Sequence, residues 1–151
     1  MQEPAGRILA LDLGKRRIGL ALSDELRLTA QGIETLVRTN LREDLGRLAS
    51  LAAGQGVTLI VIGNPRHMDG REGAQSAWVR EFAVKLESRS GTTVQLWDER
   101  LTTVEAERVL RQSGISREKR GAAVDRLAAV ILLESYLGSI SSSYQGAGSY
   151  E

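Results

Sequence analysis

Residues 8–22 read ILALDLGKRRIGLAL: an apolar run from Ile8 to Leu13, a break at Gly14-Lys15-Arg16, and a second apolar run from Ile18 to Leu22. Two apolar runs around a tight Gly-containing turn predict a hairpin of antiparallel strands. One residue in it is out of place. Asp12 ends the first strand, and the two-residue period puts it on the face of Ile8 and Ala10.

Beyond the hairpin, a third strand is expected between Leu28 and Val37, interrupted by Gly32. Asn40 and Glu43 form a capping box, and Leu41, Leu45, Leu48 and Leu51 supply the buried stripe of the helix behind it. Val57 to Ile62 is apolar with little alternation, as in a strand covered on both faces. A loop from Gly63 to Gly73 follows, then a helix to about Ser90 with Trp78 and Phe82 on its inner face.

Thr92 to Trp97 predicts the fifth strand. Thr102 to Glu105 is a second capping box, so a helix is expected from there to near Gly114. The segment from Gly121 to about Leu137 is apolar nearly all round and predicts a deeply packed helix. The order βββαβαβαα implies an α/β fold, a mixed five-stranded sheet flanked by helices. Residues 1–138 are expected to form one domain, and the Ser- and Gly-rich stretch 139–151 a tail with little to bury.

Composition narrows the function. The chain has 151 residues, no cysteine and a net charge of +1, from 20 Lys and Arg against 19 Asp and Glu. Disulfides, zinc knuckles and thiol catalysis are excluded, and a reducing cytoplasm is the expected location. Nucleic acid would have to be met by local patches, since a whole-protein basic field is absent. No charged and apolar leader is read at Met1 to Arg7, and the longest apolar run, Leu127 to Leu133, is too short to span a bilayer.

Three acids stand where packing does not favour them. Asp12 and Glu99 end strands, and carboxyl ends of strands are where ligands bind in open α/β sheets. Asp125 shares a helix face with Ala128, Ala129 and Leu132. Each has a plainer reading. Asp12 suits a turn, Glu99 suits a helix N-terminus, and Asp125 suits an ion pair with Arg126 or Arg100. Together they imply a cluster of hard oxygen donors for Mg²⁺ or Mn²⁺, able to clamp a phosphodiester. Asp98, facing away from Glu99 by alternation, is expected to be structural or capping.

Leu11-Asp12-Leu13-Gly14 with its following strand, Gly63-Asn64-Pro65 with Met68-Asp69-Gly70, Asp98-Glu99-Arg100-Leu101-Thr102-Thr103, and Asp125 followed by Ala128-Ala129 resemble the YqgF (RuvX) family. The likeness runs over about residues 7–137 and implies an RNase H-like fold. It also implies a metal-dependent nuclease acting on precursor rRNA, at the 5′ end of pre-16S rRNA, or on branched DNA at Holliday junctions. Asp12, Glu99 and Asp125 fall on the family's acidic positions, which would bind metal and carry catalysis. Family members often place a Lys close before the third acid; here Lys119 and Arg120 are the nearest preceding cations.

Lys15, Arg16 and Arg17 at the turn, Arg66 and Arg71 in the loop, and Arg100 beside Glu99 are the expected contacts to a phosphate backbone. His67 is the only histidine and suits an exposed position or a proton-transfer role. An Asp-x-Gly hairpin also occurs in actin-like ATPases, but 151 residues supply one lobe where such enzymes need two. A non-catalytic nucleic-acid module would gain nothing from acids that repel its ligand. A dimer is what a resolvase making symmetric cuts would require; no residue decides the oligomeric state.

Overall fold

A computed structural model describes residues 6–64, 74–98 and 117–148. It contains β1 (Arg7–Leu13), β2 (Arg17–Ser23), β3 (Ala30–Val37), α1 (Leu41–Gly54), β4 (Val57–Asn64), α2 (Ala74–Ser90), β5 (Thr93–Asp98) and α3 (Arg117–Gly148). The expected helix over 102–114 lies outside the described residues, as do Arg66, His67, Arg71, Glu99 and Arg100.

The strands form one five-stranded sheet in the order β3-β2-β1-β4-β5. β1, β2 and β3 are antiparallel neighbours, whereas β4 and β5 join in parallel. That is the expected mixed sheet, and it brings the carboxyl ends of β1, β3, β4 and β5 to one edge. The hairpin forms as read: Gly14 N–H bonds the Arg17 carbonyl at 2.9 Å, closing the turn.

Side-chain alternation divides the core in two. Leu9, Leu11, Ile18, Leu20, Ile60 and Ile62 pack with Leu48 of α1 and with Phe82 and Leu86 of α2. On the other face Ile8, Ala10, Ala21 and Val61 pack with Ala129, Leu132, Leu133 and Tyr136 of α3. Strands between two such layers are apolar on both faces, which is why β1 and β4 read as continuous runs.

α1 starts as its capping box implies, with the Asn40 side chain accepting from Glu43 N–H at 2.9 Å. α3 departs from expectation. It begins at Arg117 and continues to Gly148, through much of the expected tail. Its burial is also one-sided: Ala128, Ala129, Leu132 and Leu133 are buried, but Arg126, Glu134 and Ser135 are exposed. Apolar composition all round the helix overstated its depth, because the second face of α3 has no layer above it among the described residues.

Candidate active site

Asp12 is almost fully buried at the carboxyl end of β1. Its neighbours in alternation, Ile8 and Ala10, belong to the core under α3, so its side chain is directed to that layer. Its register partner across the hairpin is Gly19. Gly19 is the contact point between sheet and helix: a Cβ there would overlap the backbone carbonyl of Asp125. A glycine inside an apolar strand signals close approach of another backbone. The approach here is that of α3, and it sets Asp125 beside the end of β1 that carries Asp12. Gly32 of β3 repeats the device, since a Cβ there would press on the side-chain stem of Arg126 and on Val130.

Among the described residues Asp125 pairs with Arg17 and not with Arg126, while Arg100, the other arginine expected from sequence, lies outside them. Arg17 Nε donates to Asp125 Oδ2 at 2.7 Å. Arg17, Gly19 and Ala21 share the α3 face of β2, so the pairing follows from strand alternation once α3 is placed. The cations of the turn therefore divide. Arg17 turns to Asp125, while Lys15 and Arg16 are exposed and line a groove with Arg38 and Trp78 on the α1–α2 side.

The end of β5 is tied to the same helix. Tyr136 O–H donates to Gln95 Oε1 at 3.0 Å, Trp97 Nε1–H donates to Ser135 Oγ at 3.1 Å, and the rings of Trp97 and Tyr136 meet edge to face at 5.2 Å. Gln95 and Trp97 thus face α3, whereas Val94 and Leu96 pack in the opposite core. Asp98 is exposed and pairs in register with Asn64 of β4. Asn64 is buried and accepts from the Ser76 hydroxyl, a bond between β4 and the first turn of α2.

A buried ion pair that the sequence did not signal supports the hairpin from behind. Asp44 of α1 accepts from Arg38 Nε at 3.3 Å and from Thr39 N–H at 3.1 Å. Arg38 also donates to the Gly14 carbonyl at 3.1 Å and lies over the Trp78 ring, 4.8 Å from its centroid. Its separation from the turn in sequence hid the connection. Among the described residues no three His, Asp or Glu side chains form a metal-binding group. Asp12 and Asp125 are the two expected ligands that lie within them.

Residues 6–139 match the RuvX family, described as Holliday junction resolvase. A relative from Koribacter versatilis (strain Ellin345), named "Putative pre-16S rRNA nuclease", is 51% identical over 140 residues, covering 91% of this chain and 92% of the relative. One of the same name from Syntrophus aciditrophicus (strain SB) is 52% identical over 135 residues, covering 89% and 90%. Among solved structures, the Fowlpox virus resolvase with Holliday junction DNA aligns with a TM-score of 0.57 at 16% identity, covering 89% of this chain and 98% of that one. The large terminase nuclease of thermophilic phage G20c aligns at 0.53 with 11% identity, covering 88% and 83%. These likenesses agree with the sheet order and helix layers in showing an RNase H-like fold. Matched over nearly all of its length by family and close relatives alike, this chain belongs to the RuvX (YqgF) family.

Proposed function

We propose that this protein is a divalent-metal-dependent nuclease, a hydrolase of phosphodiester bonds that processes the 5′ end of pre-16S rRNA in the cytoplasm. The observation that carries the reading is the close contact of Gly19, the register partner of Asp12, with the α3 backbone at Asp125. Glu99 follows Trp97 by one alternation step, and Trp97 faces the same helix. The names of the close relatives support pre-16S rRNA as the substrate.

The donor set fits a hard cation. Carboxylate oxygens of this kind suit Mg²⁺ or Mn²⁺, and the Arg17 bond engages Oδ2 of Asp125. Asp12, Glu99 and Asp125 would hold the metal and serve as the catalytic carboxylates. Two bound ions would supply Lewis-acid activation of water and stabilisation of the leaving oxygen. The chain's own part is positioning. Asp12 is held on the rigid central strand, Asp125 is fixed by the packing of α3 on Gly19, and Arg17 orients the Asp125 carboxylate. Lys15, Arg16, Arg17, Arg66, Arg71 and Arg100 are assigned to the phosphate backbone, which they would hold without reading sequence.

A second reading is favoured by the family's description: resolution of branched DNA. One experiment separates the two. End-labelled precursor-like RNA and a four-way DNA junction are incubated side by side with Mg²⁺, Mn²⁺ or chelator, with Asp12→Asn as the control. RNA cut by the wild type alone, the junction staying intact, is the expected result. Paired symmetric nicks in the junction with RNA spared would transfer the assignment to a dimeric resolvase. Cutting that survives Asp12→Asn or chelation would overturn the metal-carboxylate reading.

A further inference from the structure

Among the described residues the cations are unevenly placed. The net charge is only +1, yet Arg42, Arg47 and Arg89 surround one shallow groove between α1 and the end of α2, opposed there by Glu43. At Asn40 that groove meets the one lined by Lys15, Arg16 and Trp78. Asp44, the carboxylate of this second groove, is buried and bonded to Arg38 and Thr39, so it offers little repulsion to an anion. The five exposed cations therefore form a band that starts at the hairpin turn and runs along α1. The turn stands at the strand edge where Asp12 is found, and the band leads away from it on the opposite layer.

Trp78 gives the band a second chemistry. Its ring is half-buried, packed 6.1 Å from Phe82 and held by Arg38, which is itself tied to the Gly14 carbonyl. Arg38 covers one side of this ring, so a base meets the part that lines the groove, and a ring already fixed loses little freedom in doing so.

We infer that this band binds a sugar-phosphate strand, the continuation of the nucleic acid whose scissile bond lies at Asp12. Phosphates lie against Lys15 and Arg16, then against Arg42, Arg47 and Arg89, and one base lies on Trp78. The inference rests on the nuclease reading for the identity of the strand. Cations strung along a groove recognise repeating phosphates, whatever the base sequence.

The test is equilibrium binding in chelator, where no metal-dependent cutting occurs. The full-length wild type is compared with the triple variant Arg42→Ala, Arg47→Ala, Arg89→Ala, whose sites are exposed helix positions that alanine suits. Labelled single-stranded RNA and DNA of one sequence are titrated across a KCl series. The triple variant should bind about tenfold or more weakly, with a salt slope shallower by about 2. The tighter of the two nucleic acids identifies the source of the strand.

In a Trp97→Phe background, the emission of Trp78 should be quenched by the oligonucleotide and not by heparin, which has no bases. Unchanged affinity and slope in a triple variant of wild-type melting temperature would overturn the band. So would equal competition by polyglutamate, which would mark the surface for an acidic protein. Cutting by the wild type with unaltered binding in the variant removes the band and leaves the nuclease reading intact. Weakened, salt-shifted binding in a protein that cuts neither RNA nor DNA upholds the band while the nuclease reading fails.

Discussion

Arg17 on β2 donates its Nε hydrogen to Asp125 Oδ2 on α3 at 2.7 Å, closing a contact across 108 residues of chain. The pair is partly open to solvent, with side-chain exposures of 37% and 21%. It therefore contributes little to stability, and its weight lies in placing a carboxylate. Asp125→Asn is expected to abolish cleavage while costing no more than about 1 kcal/mol of stability. Arg17→Met should lower cleavage severalfold and raise the Mg²⁺ concentration for half-maximal cleavage, because Asp125 loses the donor that orients its carboxylate. Metal titrations of activity beside urea melts check both. Full cleavage by Asp125→Asn would remove this residue from the site.

Gly19→Ala places a methyl group against the Asp125 carbonyl, a backbone atom that cannot rotate aside. We expect a loss of about 1–3 kcal/mol and a fall in cleavage as α3 shifts from the sheet. Gly138→Ala is the matched control. It lies on an exposed part of α3 with nothing near the added carbon, and should raise stability by about 0.5–1 kcal/mol. Denaturant unfolding of the two variants decides the point; equal effects would refute the close-approach argument.

Asp44 is buried and bonded to Arg38 and to Thr39. Asp44→Ala would leave the Arg38 guanidinium without its counter-charge and the Thr39 N–H without its acceptor. A destabilisation of about 3 kcal/mol is expected, at the lower end for a broken buried pair because Arg38 keeps the Gly14 carbonyl. The chevron or equilibrium melt of Asp44→Ala tests this, and a loss below about 1 kcal/mol would show that the pair is dispensable.

Asp24 begins the loop between β2 and β3 and its carboxyl is held below the ordinary aspartate value of 3.8, chiefly by the Thr29 backbone N–H, with Leu28 N–H adding to it. A carboxylate with a lowered folded pKa stabilises the fold above its unfolded pKa and loses that contribution as pH falls through the folded value. Wild type should therefore weaken below pH 3.8 in part through this loop. Asp24→Asn should show a flatter acid limb, read by melting temperature against pH, with the loop amides of Leu28 and Thr29 exchanging faster.

Much of the architecture was legible in the chain. The hairpin of residues 8–22, the Asn40 cap, the doubly covered β4 and the mixed sheet each rest on local pattern, because strand period, turn chemistry and capping act over a few residues. Asp12 and Asp125 could be singled out for the same reason, as carboxylates at positions where neighbours are apolar. The family resemblance pointed to the same two residues and to Glu99. The extent of α3 was less legible: Ser and Gly after Leu137 read as a tail, and helix propensity there is too weak a signal to set against it.

Local sequence pattern marked where strands and helices lie, though not how far α3 extends, and which acids sit oddly among them. Tertiary structure alone decided who meets whom. Asp125 pairs with Arg17, the cations of the turn part to opposite faces, and Arg38, just after β3, reaches back to brace the turn at Gly14. Periodicity gives a side chain its face but carries no information about which distant element covers that face. That choice depends on the packing of α3 over Gly19 and of α1 and α2 on the other layer, a balance of contacts summed over the whole sheet.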